Sequence, residues 1–352
     1  MPDSFQPTLP LAPFGDASLR ERVQAALDAK TKPPGSLGRL ETLALQLSLI
    51  QCREQPQLQA PQLVVFAADH GIATEGVSAY PTEVTRQMVL NILAGGAAVS
   101  VLARQHGITV TVADCGVAAD FAAVPRLIHM KVPGAEYGSA DASRGPALSE
   151  TQCKTAIVQG RALVKNLPGN VLLLGEMGIA NSSAAALLMA RLTAEPLAHC
   201  VGRGTGLDDI GLARKRAVLQ RALDVNGAAT TPLQTLAAFG GLEIASMVGA
   251  AQQAAAEGRV IVVDGFITTA AIAVAAALQP ALLRSCVFAH RSSEAGHDRW
   301  LQHLGVQPLL DLDLRLGEGS GAALAWPLLE SACRMLNEMA SFESAGVSRR
   351  SS

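Results

Sequence analysis

Two kinds of apolar pattern alternate along this chain. Short unbroken runs of aliphatic residues, LVVFAA at 63–68 first among them, are separated by stretches in which apolar positions recur every three or four residues. The first pattern marks a strand buried on both faces, the second an amphipathic helix. Thr109–Ala113, Val171–Leu174, Val260–Val263 and Ser285–Ala289 repeat the strand pattern. Helical spacing predicts helices at about 83–105, 149–166, 181–193, 208–224, 232–256 and 267–278. Strands alternating with helices predict an α/β chain, doubly wound around a mostly parallel, Rossmann-like sheet. The strand runs end at Asp69, Asp114, Glu176, Asp264 and His290. Ligands bind beyond the carboxyl ends of such strands, so these five residues are expected to border one crevice.

Both chain ends depart from the alternation. Residues 1–16 are Pro-rich, loose or wrapped on the surface, and 17–30 carry helical spacing. Pro33-Pro34-Gly35 is a turn, with Ser36 the expected N-cap of a helix through Leu47. Beyond His290 the pattern reads helix (294–304), strand (308–314), long helix (321–342) and tail (345–352). The expected organisation is a large α/β domain, 61–290, with a smaller helical domain formed from both chain ends, 1–60 and 291–352.

Composition narrows the function. Apolar residues make up 49% and charged residues 16%, which excludes a disordered chain. A net charge of -2 without a basic run, and 3% aromatics, argue against nucleic acid as the partner. The six cysteines show no CxxC pair or metal spacing and read as the reduced thiols of a cytosolic protein. The N-terminus lacks the charged and apolar regions of a signal peptide. The most apolar stretch, Phe266–Leu283, is broken by Gln279-Pro280 and reads as a buried helix rather than a membrane span.

The chemistry points to Leu314–Ala325, LRLGEGSGAALA. Gly317, Gly319 and Gly321 permit positive φ and close approach, and a helix is expected to open at Ala322 with its N–H groups free. Glu318 sits among these glycines. A carboxylate in a tight apolar turn has its charged form disfavoured, which moves it toward use as a general base. The match of Gly317-x-Gly319-x-x-Ala322 to a dinucleotide fingerprint is formal only, because too little chain follows to supply a second strand with its ribose-binding acid. A second Gly-rich turn, Gly202–Asp209, opens a helix carrying Lys215 and suits a phosphate, although a surface turn with an Asp cap has the same pattern. Glu176 in GEMG is placed to accept from sugar hydroxyls, and Asn181, Ser182 and Ser183 either cap the next helix or bind ligand. His290, Glu294 and His297 match no zinc spacing. Tyr80, Met88 and Met177 are pocket or core residues.

Taken together, KPPGSLGRLE (32–41), AADHGIATEGVSAYPTEVTRQMV (67–89), GEMGIANSS (175–183) and GRGTGLDD (202–209) with Lys215 carry a family resemblance. GGLEIASMVGA (240–250), DGFITTAA (264–271), AHRSSEAGH (289–297) and LRLGEGSGAALA (314–325) extend it. In order along nearly the whole chain, these blocks resemble the nicotinate-nucleotide–dimethylbenzimidazole phosphoribosyltransferase family of cobalamin lower-ligand assembly. The resemblance implies transfer of the 5-phosphoribosyl group of nicotinate mononucleotide to 5,6-dimethylbenzimidazole, with inversion at the anomeric carbon. It makes Glu318 the general base. It places Glu176, Gly178, Asn181 and Ser292 around the ribose phosphate, with Gly202, Gly204 and Lys215. It places Tyr80, Gln87, Met88, Met177 and Leu316 near the benzimidazole. It implies no metal and no cofactor, and a cytoplasmic homodimer that engages neither nucleic acid nor membrane. One departure is Ala180-Asn181-Ser182-Ser183, where many members carry Gly-Asn-Thr-Thr.

Overall fold

The computed structural model describes residues 5–204 and 206–348. Among these residues the main sheet has six strands: β1 (Gln62–Ala68), β2 (Thr109–Gly116), β3 (Leu127–His129), β4 (Val171–Met177), β5 (Val260–Val263) and β6 (Cys286–Phe288). All pair in parallel, in the order β3-β2-β1-β4-β5-β6. The chain thus winds outward from β1 in one direction and then from β4 in the other. The crevice of such a sheet lies where the winding reverses, between β1 and β4, with Phe66 opposite Glu176. Every residue of β1 and β4 is buried, which is why 63–68 and 171–174 read as unbroken apolar runs.

Alternate side chains of β1 enter two different cores. Val64, Phe66 and Ala68 join the helices Glu150–Lys165, Asn181–Thr193, Leu242–Ala256 and Phe266–Leu278. Leu63, Val65 and Ala67 join the helices Ala17–Asp28, Arg39–Ile50, Glu83–Leu93, Ala98–Gln105 and Ser320–Glu338. The two chain ends meet on that second face. Lys30 pairs with Ser341 in an isolated bridge, and the Lys30 Nζ donates to the Met339 carbonyl at 2.7 Å. A buried ion pair, Lys32–Glu41 at 2.8 Å, fixes the Pro33-Pro34-Gly35 turn beside them.

Several elements differ from the pattern reading. The stretch 83–105 is two helices, because Gly95 at φ 85 ends the first. The stretch 232–256 likewise breaks at Gly240-Gly241, giving Pro232–Phe239 and Leu242–Ala256. Periodicity alone runs through such breaks, since glycine removes no apolar position from the pattern. The expected strand 308–314 shrinks to two residues, β8 (Leu310–Asp311), paired with β7 (His290–Arg291) apart from the main sheet. Gly38, not Ser36, stands at the N-cap: the helix starts at Arg39, and the Glu41 carboxylate takes the Leu37 N–H at 2.9 Å. β3 had no pattern of its own, being three residues long. The Pro-rich N-terminal strap is fastened to the surface, with the carbonyls of Gln6, Pro7 and Leu9 accepting from Arg161, Gln252 and Gln279. The first four residues and 349–352 of the expected tail lie outside the described residues.

Candidate active site

Glu176 lies near the end of β4, buried. Asn181, the first residue of the next helix, donates from Nδ2 to Glu176 Oε2 at 2.5 Å, and the Glu318 N–H donates to Oε1 at 3.3 Å. Burial nonetheless pushes the Glu176 carboxyl up to about 8, aided by the nearby Asp264 charge. The two glutamates that the sequence placed far apart therefore meet directly.

Gly317, Glu318 and Gly319 are successive left-handed residues, with φ of 82°, 65° and 90°. A glutamate in that region costs roughly 1 kcal/mol, so its surroundings must hold it there. The space explains the glycines. A Cβ on Gly317 would overlap Glu176 Oε1, one on Gly321 would overlap the His290 ring, and one on Gly175 would overlap the Glu318 carbonyl oxygen. Glu318 is 5% exposed, and its Oε2 is buried with no hydrogen-bond partner among the described residues. Burial, with the Asp264 charge beside it, pushes this carboxyl up to about 7. The helix that follows does not offer free N–H groups to a ligand, as its pattern suggested. Asp264 fills its start, accepting from Gly319 N at 3.1 Å and Ala322 N at 2.8 Å.

Another part of the same cleft is cationic. Lys215 is 1% exposed, and its Nζ donates to Ser182 Oγ at 2.9 Å. Burial lowers the ammonium to about 8, against the opposing pull of Glu294. A Cβ on Gly204 would lie 3.1 Å from Ser182 Oγ and 3.5 Å from Lys215 Nζ, so this glycine brings bare backbone to the ammonium. Asp208 caps the helix, accepting from Gly211 N at 2.7 Å, and Asp209 pairs with Arg203 at 2.5 Å. Thr205 of this turn lies outside the described residues.

Of the residues expected at the site, Glu176, Gly178, Asn181, Gly204, Lys215 and Ser292 line the cleft. Met177, Leu316 and Glu318 line it too. Gly202 stands behind it, where a Cβ would lie 2.6 Å from Glu294 Oε2. Tyr80, Gln87 and Met88 are not among its lining residues: Tyr80 and Gln87 are exposed, and Met88 packs on the second core. Asp69 and Asp114 are not among its lining residues: Asp69 accepts from the Ala118 N–H, and Asp114 from the N–H groups of Gly116, the last residue of β2, and Val117. His290 lines the cleft, whereas His297 is held neutral, its ring pushed down to about 3 by burial and by His290. The Ser292 N–H donates to His297 Nδ1 at 2.8 Å, so the proton sits on Nε2, which donates to Thr269 Oγ1 at 3.0 Å. Sequence reasoning missed the lysine–serine contact and the anchoring by Asp264. The signal for Asp264 was present, an acid at a strand end followed by glycine, but its partner lies at the far end of the chain.

Similarity to known proteins bears on this arrangement. Residues 12–347 match a family model described as phosphoribosyltransferase. The nicotinate-nucleotide–dimethylbenzimidazole phosphoribosyltransferase of Variovorax paradoxus is 61% identical over 352 residues, covering 100% of both chains. The protein of the same name from Cupriavidus necator is 56% identical over 97% of this chain and 98% of its own. The crystal structure of CobT from Thermus thermophilus superposes with a TM-score of 0.89 at 43% identity, covering 95% of this chain and 100% of that one. Matched from end to end in sequence and in fold, the chain belongs to the nicotinate-nucleotide–dimethylbenzimidazole phosphoribosyltransferase family.

Proposed function

We propose that this protein transfers the 5-phosphoribosyl group of nicotinate mononucleotide to 5,6-dimethylbenzimidazole, giving α-ribazole 5′-phosphate and nicotinate. The observation that carries the reading is Glu318: a carboxyl whose Oε2 has no partner among the described residues, pushed up to about 7, in the cleft that Lys215 also lines. Lys215, Ser182 and Gly204 hold the phosphate, while Glu176, Gly178, Asn181 and Ser292 border the ribose. Met177 and Leu316 flank the incoming base, with Tyr80, Gln87 and Met88 at its margin. Gly202 supports the phosphate turn from behind.

One benzimidazole nitrogen attacks the anomeric carbon with its lone pair as the bond to nicotinate breaks. Nicotinate leaves from a cationic pyridinium nitrogen, so its departure neutralises charge and calls for no metal to absorb negative charge. Attack makes the benzimidazole cationic, and its other nitrogen gives its proton to Glu318. Placing the two rings on opposite faces of the ribose sets the inversion and supplies proximity. The chain ends, 1–60 and 291–352, act as one unit that contributes Ser292, Leu316 and Glu318 to a cleft shared with 61–290. The working form is a homodimer. Six free cysteines, five of them buried, fit a reducing, cytoplasmic setting.

The test is incubation with nicotinate mononucleotide and dimethylbenzimidazole, with and without chelator, followed by product identification. The α-configured product and nicotinate are expected in equal amounts under both conditions. Absence of that product, or reduction of an added nicotinamide dinucleotide instead, overturns the reading.

A further inference from the structure

Asp264 is the most enclosed acid of the site, 1% exposed at the end of β5. It does not line the cleft. Its oxygens are committed to the backbone on either side of Ser320, Oδ2 taking the Gly319 N–H and Oδ1 the Ala322 N–H. Glu176 takes the N–H of Glu318 itself. Two carboxylates from neighbouring strands thus hold a turn that runs left-handed through three residues, one of them a glutamate. A turn of this shape does not stay closed unaided, because Glu318 pays a steric cost there. The enclosure also excludes water, which would otherwise satisfy these N–H groups in any orientation.

We infer that Asp264 is a positioning residue for the transfer reaction, acting through the Gly319 and Ala322 amides to aim the Glu318 carboxylate into the cleft. The inference rests on the assignment of Glu318 as the base. The titratable groups facing Asp264 are His290, 3.6 Å from Oδ1, with Glu318 from the turn and Glu176 from β4. Because a negative Asp264 disfavours ionisation of Glu318, its removal has a second signature besides lost aim.

The experiment compares Asp264→Asn, Glu318→Gln and the double variant in steady-state turnover across pH, with nicotinate mononucleotide binding measured separately. Asparagine keeps the shape but turns one acceptor into a donor that faces a backbone N–H. Asp264→Asn is expected to lower kcat by ~10²-fold with the KM for nicotinate mononucleotide held, the loss that a misplaced reacting group produces. Its acid limb is expected to move to lower pH, and the double variant to be no slower than Glu318→Gln alone. Should Asp264→Asn not fold, Asp264→Glu keeps the charge and displaces the oxygens by one methylene; it is expected to lose kcat with the acid limb unmoved. A fully active Asp264→Asn beside an inactive Glu318→Gln overturns the positioning role alone. So does a loss that is equal in kcat and binding, or failure of both Asp264 variants to fold, since either makes Asp264 structural. An active Glu318→Gln overturns the base assignment, and the positioning role with it.

Discussion

The two ends of the cleft bury charge of opposite sign, and the same physical force acts on both. At the carboxylate end, burial raises Glu318 to about 7 and Glu176 to about 8. At the cationic end, burial lowers Lys215 to about 8. Desolvation penalises whichever form is charged, so it drives acids up and amines down until the two ends meet near neutrality. The ends differ in what holds them. Glu318 is aimed by backbone, through a glycine turn in which side chains have no room. Lys215 is aimed by its own long side chain and one hydroxyl. The carboxylate end is therefore rigid and sensitive to shape, the lysine end sensitive to charge.

The sharpest break comes from Glu318→Gln, which removes the proton acceptor and keeps the shape. Turnover is expected to fall by ~10²–10⁴-fold, the range for loss of a general base, with substrate binding kept. The same variant carries a thermodynamic signature. A carboxyl raised on folding loses stability as pH climbs from its ordinary range through about 7, because the folded state holds the proton longer than the unfolded chain. Glu318→Gln should then melt higher than the parent at pH 8 and not at pH 4, read by thermal denaturation.

Shape is tested next by Gly175→Ala. The added methyl meets the Glu318 carbonyl oxygen, which is backbone and cannot rotate away. A shift of the turn by about 1 Å is expected to cost ~10²-fold in kcat. An alanine variant with full turnover would mean that the turn is softer than its glycines imply.

Charge is tested by Lys215→Met. A charge-assisted hydrogen bond is worth about 1.5–3 kcal/mol, so kcat/KM for nicotinate mononucleotide should fall roughly tenfold to hundredfold. The pH dependence fixes the sign. Glu318 must be deprotonated, so activity falls as pH drops through about 7; Lys215 must be protonated, so kcat/KM falls as pH rises through about 8. Lys215→Met should erase the alkaline limb and leave the acid limb in place. An alkaline limb that persists unchanged would mean that Lys215 does not set it.

The smallest effect is expected where the two ends join. Ala180, between Glu176 and Asn181, sits at φ 75, in the left-handed region that favours glycine. Ala180→Gly relieves the left-handed strain but adds freedom to the unfolded chain, so the net gain should stay below ~1 kcal/mol. A small rise in Tm with unchanged kinetics is the expected reading, and a loss of stability would count against strain at this position.

Much of this was legible beforehand. The runs ending at Glu176, Asp264 and His290 announced a parallel sheet and the edge where its ligand sits, because a strand covered on both faces has only apolar residues to show until it emerges. The glycines around Glu318 announced a turn with room for nothing else. Asp69 and Asp114 carried the same strand-end signature and yet accept from the end of β2 and the loop after it, since burial pattern marks where a strand ends but not what its last side chain meets.

The linear chain thus determined the winding of the sheet, the location of the glutamate turn and the family, since each is written in local periodicity or in contiguous motifs. Only the folded molecule decided that Glu176 and Asp264, 142 and 55 residues from their backbone partners, hold that turn, and that Lys215 reaches Ser182 across 33 residues of chain. Hydrogen bonds and desolvation depend on distance in space, and sequence separation carries no record of it.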